Sequence, residues 1–328
     1  MTALEQHLLD IIQDAFPLEE RPYQVLAGQL GSDEQSVFDA VENLRMSGVI
    51  RRIGGVYDSK ALGFISRLCA GKVSDIDKFA DAVNEIPAIT HNYVRSHEYN
   101  VWFTVIAESE DEIRKIVDGL CTSTDLHDVH ILSATKKFKI NTVMGAGAPV
   151  DSRQLTVDSG VILSEARNSD LSLRKQSPAG ILSDSDRARI RVACTDIPHT
   201  LTPFKDWGVS CEELRDDLAQ KRMRRFGAIL RHQEAGFAYN AMVCFGLDER
   251  RETKDERGWA LAKKPYVSHC YERPVFEGFP YSLYAMMHAR SAEDLECYIK
   301  DAAASIGNPE YVVLHSVKEL KKTSFRFF

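Results

Sequence analysis

The segment T-H-N-Y-V-R at 90–95 carries a histidine, a tyrosine and an arginine at alternate positions, His91, Tyr93 and Arg95. In an extended chain, side chains two apart share a face. A near-neutral proton carrier, a phenol and a guanidinium therefore line up on one sheet surface, with Asn92 and Val94 on the other. The same spacing returns in S-H-C-Y-E-R at 268–273, as His269, Tyr271 and Arg273. Such a face could pass a proton to a reacting atom and hold a carboxylate in a two-point guanidinium clamp. A lone histidine on a strand is usually a satisfied structural group. A trio on one face that recurs calls for another explanation, because strand interiors favour Val, Ile and Phe over His and Arg.

Other residues fit the same ligand. Arg51 and Arg52 form a pair in I-R-R-I-G-G-V, and Arg224 and Arg225 repeat it in M-R-R-F-G-A-I. Clustered arginines suit a ligand with several carboxylates. Trp102, next to Phe103, and its later counterpart Tyr284 belong to aromatic clusters that would suit a large flat ligand, although core packing accounts for single aromatics equally well.

The elements that must position these residues follow from periodicity. Apolar positions at helical spacing run over 4–16 up to Pro17, a short second helix covers 23–30, and a third spans 32–47 with Ser32 as its cap and Gly48 as its stop. V-I-R-R-I-G-G-V-Y-D then reads as two small strands around Gly54-Gly55. Three helices and a ribbon make a winged helix-turn-helix over 1–60. Residues 61–145 read strand, helix, two strands meeting at a turn over Ser96-His97-Glu98, helix, and a last strand from Val129 toward K-K-F-K-I. That order, βαββαβ, is the ferredoxin-like plan.

Residues 146–180 are rich in Gly, Ser, Ala and Pro and read as linker, with a possible short strand in T-V-D-S-G-V-I-L-S. The plan then repeats, with a second winged helix-turn-helix over 181–234 and a second ferredoxin-like domain over 235–328. The offset is 173 residues at the arginine pairs, 178 at the histidines and 182 from Tyr99 to Tyr281, so insertions fall in loops. The fold class is α+β, a tandem duplication whose halves are expected to pair their sheets as an internal pseudo-dimer, able to assemble further.

Composition narrows the function. A chain of 328 residues with 44% hydrophobic and 27% charged residues can bury a sizeable core. No apolar run is long enough for a membrane span. The N-terminal residues are acidic where a signal peptide would be basic, and the seven cysteines are scattered without a C-x-x-C. Free thiols in a reducing cytoplasm are expected, and the spacing excludes the cluster motif of radical iron–sulfur enzymes.

A winged helix followed by βαββαβ resembles the Lrp/AsnC transcription regulators. The third helix should then present basic residues to DNA. It carries Asp33, Glu34, Asp39 and Glu42 instead, and its repeat carries Glu212, Glu213, Asp216 and Asp217. Phosphates would repel that face.

A more specific resemblance lies in the blocks G-V-I-R-R-I-G-G-V-Y-D, T-H-N-Y-V-R and Y-N-V-W-F-T, which look like those of the siroheme decarboxylases, AsnC-like proteins. The later S-H-C-Y-E-R-P and F-P-Y-S-L-Y-A-M are similar to the partner subunit. The resemblance implies a natural fusion of two subunits and loss of carbon dioxide from two acetate arms of siroheme. It implies His91, Tyr93, Arg95, His269, Tyr271 and Arg273 as reacting residues and Arg51, Arg52, Trp102, Arg224, Arg225 and Tyr284 as substrate contacts. No phosphate-cradling glycine loop is present, so no cofactor is expected, and the iron belongs to the substrate. A histidine could serve as the acid or as an axial ligand to that iron. The halves differ at Asn92, which becomes Cys270, and at Trp102, which becomes Tyr284. The readings that compete are a DNA-binding regulator and a tetrapyrrole carrier. The acidic helix predicts no specific binding to duplex DNA in a low-salt anisotropy titration. Submicromolar, sequence-dependent binding would restore the regulator.

Overall fold

Each half opens with helices whose apolar faces cannot be covered within one helix-turn-helix, and the two units solve this together. The computed structural model describes residues 1–140, 182–231, 237–247, 251–323 and 325–328, the side chains of 251–253 and 322 excepted. The linker and its short-strand expectation lie outside the described residues.

The first half runs α1 (Ala3–Ile12), α2 (Pro22–Leu30), α3 (Glu34–Met46), β1 (Ile50–Tyr57), β2 (Ile65–Lys72), α4 (Ile76–Asn84), β3 (Ile89–Arg95), β4 (Val101–Ala107), α5 (Glu110–Ser123), β5 (His127–Leu132) and β6 (Lys136–Ile140). The second runs α6 (Asp184–Ala193), α7 (Pro203–Trp207), α8 (Cys211–Ala219), β7 (Met223–Leu230), β8 (Tyr239–Phe245), α9 (Arg251–Ala262), β9 (Val267–Glu272), β10 (Leu283–Ala289), α10 (Ala292–Ser305) and β11 (Tyr311–Lys322).

The two wings pair with each other: β1 and β7 form an antiparallel two-stranded sheet. One apolar core joins both helix-turn-helix units beneath it, with Leu8, Ile12, Val37, Val41 and Leu44 from the first and Ile190, Leu214, Phe226 and Leu230 from the second. Each unit also holds the other half's wing. The amide of Phe16 donates to the Phe226 carbonyl, and the amide of Ile197 donates to that of Ile53, both at 2.8 Å.

The remaining strands form one sheet in the order β5-β2-β4-β3-β11-β8-β10-β9-β6. The halves exchange their last strands. β11 pairs with β8 of its own half through 311–315 and then with β3 through 316–322. β5 stays on β2, while β6 crosses to β9. The two end strands are consecutive segments separated by residues 133–135, so the sheet must curl until its ends lie close. Helices cover the outer surfaces, giving one core per half. A mixed cluster of Trp102, Leu132, Met242, Tyr284 and Leu314 fills part of the inside.

Five expectations need correction. The first helix ends at Ile12, not at residue 16. The cap of α3 is Asp33, which accepts the Ser36 amide at 2.9 Å, rather than Ser32. The last strand of the first ferredoxin-like unit is broken, because its second piece leaves for the other half. Residues 50–57 are one strand rather than a ribbon turning at Gly54-Gly55. The glycines serve close approach instead: a Cβ on Gly54 would lie 2.4 Å from the Thr195 carbonyl oxygen of the second half. The acidic face of α8 is also smaller than the sequence suggests, because Asp217 is fully buried.

Asp217 ties the second helix-turn-helix to the first half's wing. Its carboxylate accepts Tyr57 Oη at 2.7 Å and pairs with Arg189 at 3.0 Å and Arg222 at 2.8 Å. Asp217→Ala should lose about 3 kcal/mol of stability, because the buried carboxylate shared by Tyr57, Arg189 and Arg222 is removed, although Arg189 keeps Asp186 at 2.9 Å and Glu213 at 3.4 Å. Tyr57→Phe should lose about 1 kcal/mol. Denaturant melts measure both, and equal losses would mean that packing, not the ion network, holds the joint.

Candidate active site

The trios of both halves face one cavity of about 920 Å³ between the curled sheet and the paired wings. β3 and β9 project His91, Tyr93 and Arg95, and His269, Tyr271 and Arg273, into it, while Asn92, Val94 and Cys270 are buried behind the sheet. The period-2 reading of that face therefore describes the local geometry. Arg51, Arg52, Trp102, Arg224, Arg225 and Tyr284 line the same cavity.

The two trios are built alike. Thr90 Oγ1 lies 2.9 Å from His91 Nδ1, and Ser268 Oγ lies 2.9 Å from His269 Nδ1. Each hydroxyl fixes its ring's orientation and biases its tautomer. The Arg95 guanidinium sits 4.8 Å from the Tyr93 ring centre and donates to the Leu314 carbonyl at 3.3 Å. Arg273 sits 5.0 Å from the Tyr271 ring and donates to the Leu132 carbonyl at 2.8 Å. Each arginine is thus aimed by a backbone oxygen of the opposite half, Leu314 at the own-half end of β11 and Leu132 at the end of β5. Burial pulls Arg95 down to about 10, which leaves it charged at neutral pH. Burial, then the Glu319 charge, pushes the Tyr93 phenol up. Burial also raises Tyr271, against the pull of Arg273 and Arg224.

The arginine pairs divide the work. Arg52 donates to the carbonyls of Gly55 at 3.3 Å and Thr195 at 3.5 Å, and Arg225 to those of Gln13 and Ala228. These second arginines brace the wings against the opposite half. Arg51 and the exposed Arg224, the first members of each pair, line the cavity as well.

The halves differ at three matched places. Beside Tyr93 the paired strand carries Glu319, and beside Tyr271 it carries Lys137. Trp102 donates its indole N–H to the Tyr99 carbonyl at 2.7 Å. Tyr284, its counterpart, is 2% exposed and its hydroxyl has no hydrogen-bond partner among the described residues. An unsatisfied buried hydroxyl costs about 1–3 kcal/mol. Ile106 corresponds to His288, whose Nε2 lies 3.0 Å from Ser268 Oγ. Lys137, Glu319, Ser268 and His288 were missed from sequence. Carrying the offset of 182 residues along β4 would have matched Ile106 to His288, and carrying it into the last strands would have matched Lys137 to Glu319. Burial, then Arg224, Lys60 and Arg273, lower the Lys137 ammonium, while Asp58 opposes them.

Known proteins resemble this chain in sequence and fold. The AsnC-like ligand binding domain family matches residues 61–139 and 234–321, and the siroheme decarboxylase NirDL-like HTH domain family matches 5–51. A siroheme decarboxylase of Hydrogenobacter thermophilus is 29% identical over 332 residues, covering 98% of this chain and 94% of the relative. The siroheme decarboxylase alpha subunit of Desulfovibrio desulfuricans is 47% identical over 142 residues, covering 43% of this chain and 82% of the relative. A crystal structure of the siroheme decarboxylase NirDL with an iron-uroporphyrin III analogue superposes with a TM-score of 0.64 at 26% identity, covering 98% of this chain and 93% of that one.

The division among the wing arginines is testable by denaturant midpoint. Arg52→Ala and Arg225→Ala should each lose about 1–3 kcal/mol, because backbone carbonyls lose their donors. Arg224→Ala should change stability by less than about 0.5 kcal/mol. Equal effects at all three would erase the distinction.

Proposed function

Because this chain belongs to the siroheme decarboxylase family, we propose that it releases carbon dioxide from the two acetate arms of siroheme, leaving methyl groups. The product is didecarboxysiroheme, on a route to heme or dioxo-heme, and the enzyme is a carboxy-lyase. The observation that carries this reading is the meeting of two His–Tyr–Arg faces in one cavity walled by arginines. Its volume lies toward the upper end of the range for small-molecule sites, about 300–1,000 Å³, as a tetrapyrrole requires. Siroheme bears a carboxylate on every acetate and propionate arm, which suits guanidinium walls.

Decarboxylation breaks the bond between the acetate methylene and its carboxyl carbon. A proton added to the macrocycle lets the ring accept the bonding pair, giving an exocyclic methylene as carbon dioxide departs. The methylene then takes a proton and the ring proton leaves, so one proton is consumed per carbon dioxide. The histidines are the acids suited to that exchange near neutral pH. Arg95 and Arg273 hold carboxylates in register, and the raised pKa values keep Tyr93 and Tyr271 as hydrogen-bond donors. The ring is its own electron sink, so the reaction needs no added cofactor. Propionates lack direct attachment of the reacting methylene to the ring and should stay intact.

Anaerobic incubation with siroheme, followed by mass spectrometry, should show stepwise loss of two carbon dioxide units with no cofactor added. A double variant, His91→Ala with His269→Ala, should still bind siroheme but turn over about a hundredfold or more slowly. A changed absorption spectrum of the bound variant would place a histidine on the iron. Binding without any release by the parent protein would mark a carrier instead.

A further inference from the structure

The cavity is built from two copies of one plan, but its poles are not equivalent, and their differences fall where proton delivery and carboxylate placement would be decided. In the second half, His269 Nδ1, Ser268 Oγ and His288 Nε2 form a chain with links of 2.9 and 3.0 Å. The first half has the opening link, Thr90 to His91, but Ile106 stands where His288 would continue it. His91 is exposed, whereas His269 is half-buried. A proton donor works best in fixed orientation with little competing water.

The sheet floor differs in the same direction. Glu319, across the ladder from Tyr93, repels a carboxylate laid over that ring. Lys137, across from Tyr271, attracts one. On the wings, Arg231 and Asp58 exchange in the opposite sense, so the poles differ less in net charge than in where the charge sits. Asp58, moreover, already accepts the amides of Lys60 at 2.9 Å and Ala61 at 3.1 Å. The Tyr284 hydroxyl, without a partner among the described residues, also belongs to the second pole.

We propose that the second half is the reacting pole of the cavity, with His269 as the acid, His288 as its positioning residue acting through Ser268, and Lys137 orienting the substrate's carboxylates. The first half's trio then anchors the far side of the ring. The Ser268 hydroxyl donates to the Met286 carbonyl at 3.3 Å, so His288 acts by holding its oxygen as the acceptor for His269 Nδ1–H, which leaves Nε2 as the nitrogen that carries a proton to the ring. This assignment rests on the decarboxylase reading.

The test uses the full chain with single substitutions, scoring turnover of siroheme and, separately, binding of iron-uroporphyrin III by absorption. His269→Ala should lower kcat at least tenfold further than His91→Ala. His288→Ile, which copies the first half's Ile106, should lower kcat at least tenfold while KM and the iron-uroporphyrin III Kd stay within twofold. His288→Gln, able to keep a hydrogen bond to Ser268, should recover kcat to within about threefold of the parent. Lys137→Glu should weaken iron-uroporphyrin III binding at least tenfold, and Lys318→Glu, a charge change on the outer side of the same exchanged strands, should not. The assignment falls if His91→Ala is the more damaging, if His288→Ile leaves kcat unchanged, or if His288→Gln fails to recover it. It falls equally if Lys137→Glu and Lys318→Glu act alike. Parent protein that released no carbon dioxide would overturn the decarboxylase reading and this assignment with it.

Discussion

The exchange of terminal strands is the constraint on which the rest of the structure depends. β6 completes the second half's sheet edge at β9, and β11 completes the first half's at β3. Without those ladders each four-stranded unit would expose backbone donors and acceptors along an edge. With them, the sheet curls around a shared interior, and the carbonyls of Leu132 and Leu314 arrive within reach of Arg273 and Arg95. The site is therefore a product of the interface. Neither half alone could aim its own arginine.

The paired wings impose a second requirement. Gly54 and Gly227 allow helix-turn-helix backbone from the opposite half to approach where any Cβ would collide. Arg52 and Arg225 then bind the carbonyls that this approach brings close. The wing strand is here the roof of the cavity, paired with its duplicate.

Much of this was legible in the residues. The duplication, the βαββαβ order and the shared face of His91, Tyr93 and Arg95 all follow from local periodicity, which a strand cannot hide. The same periodicity was silent on long-range partners. It placed K-K-F-K-I at the end of the first sheet but could not reveal that the segment leaves for β9, because an exchanged strand and a retained one share the same alternation. Gly54-Gly55 signalled a turn by composition, whereas the cause is a neighbour distant in sequence. Asp217 read as surface charge because its partners come from separate places, Tyr57 from β1, Arg189 from α6 and Arg222 from the turn before β7. Lys137 and Glu319 were passed over, because only the ladders set them beside Tyr271 and Tyr93.

The strand exchange also bears on what the connection between the halves can do. Because each half is stitched into the other through backbone ladders and a common wing sheet, the covalent tie is not what holds them together once folded. Its role is to raise the effective concentration at which they meet and to fix their stoichiometry at one of each. A symmetric homodimer must place the same side chain at both ends of a central cavity, whatever an unsymmetrical ligand needs. Two tethered, non-identical copies escape that rule: a glutamate can occupy one end and a lysine the other in every molecule, and each end can drift toward its own task without forming the wrong like-with-like pair.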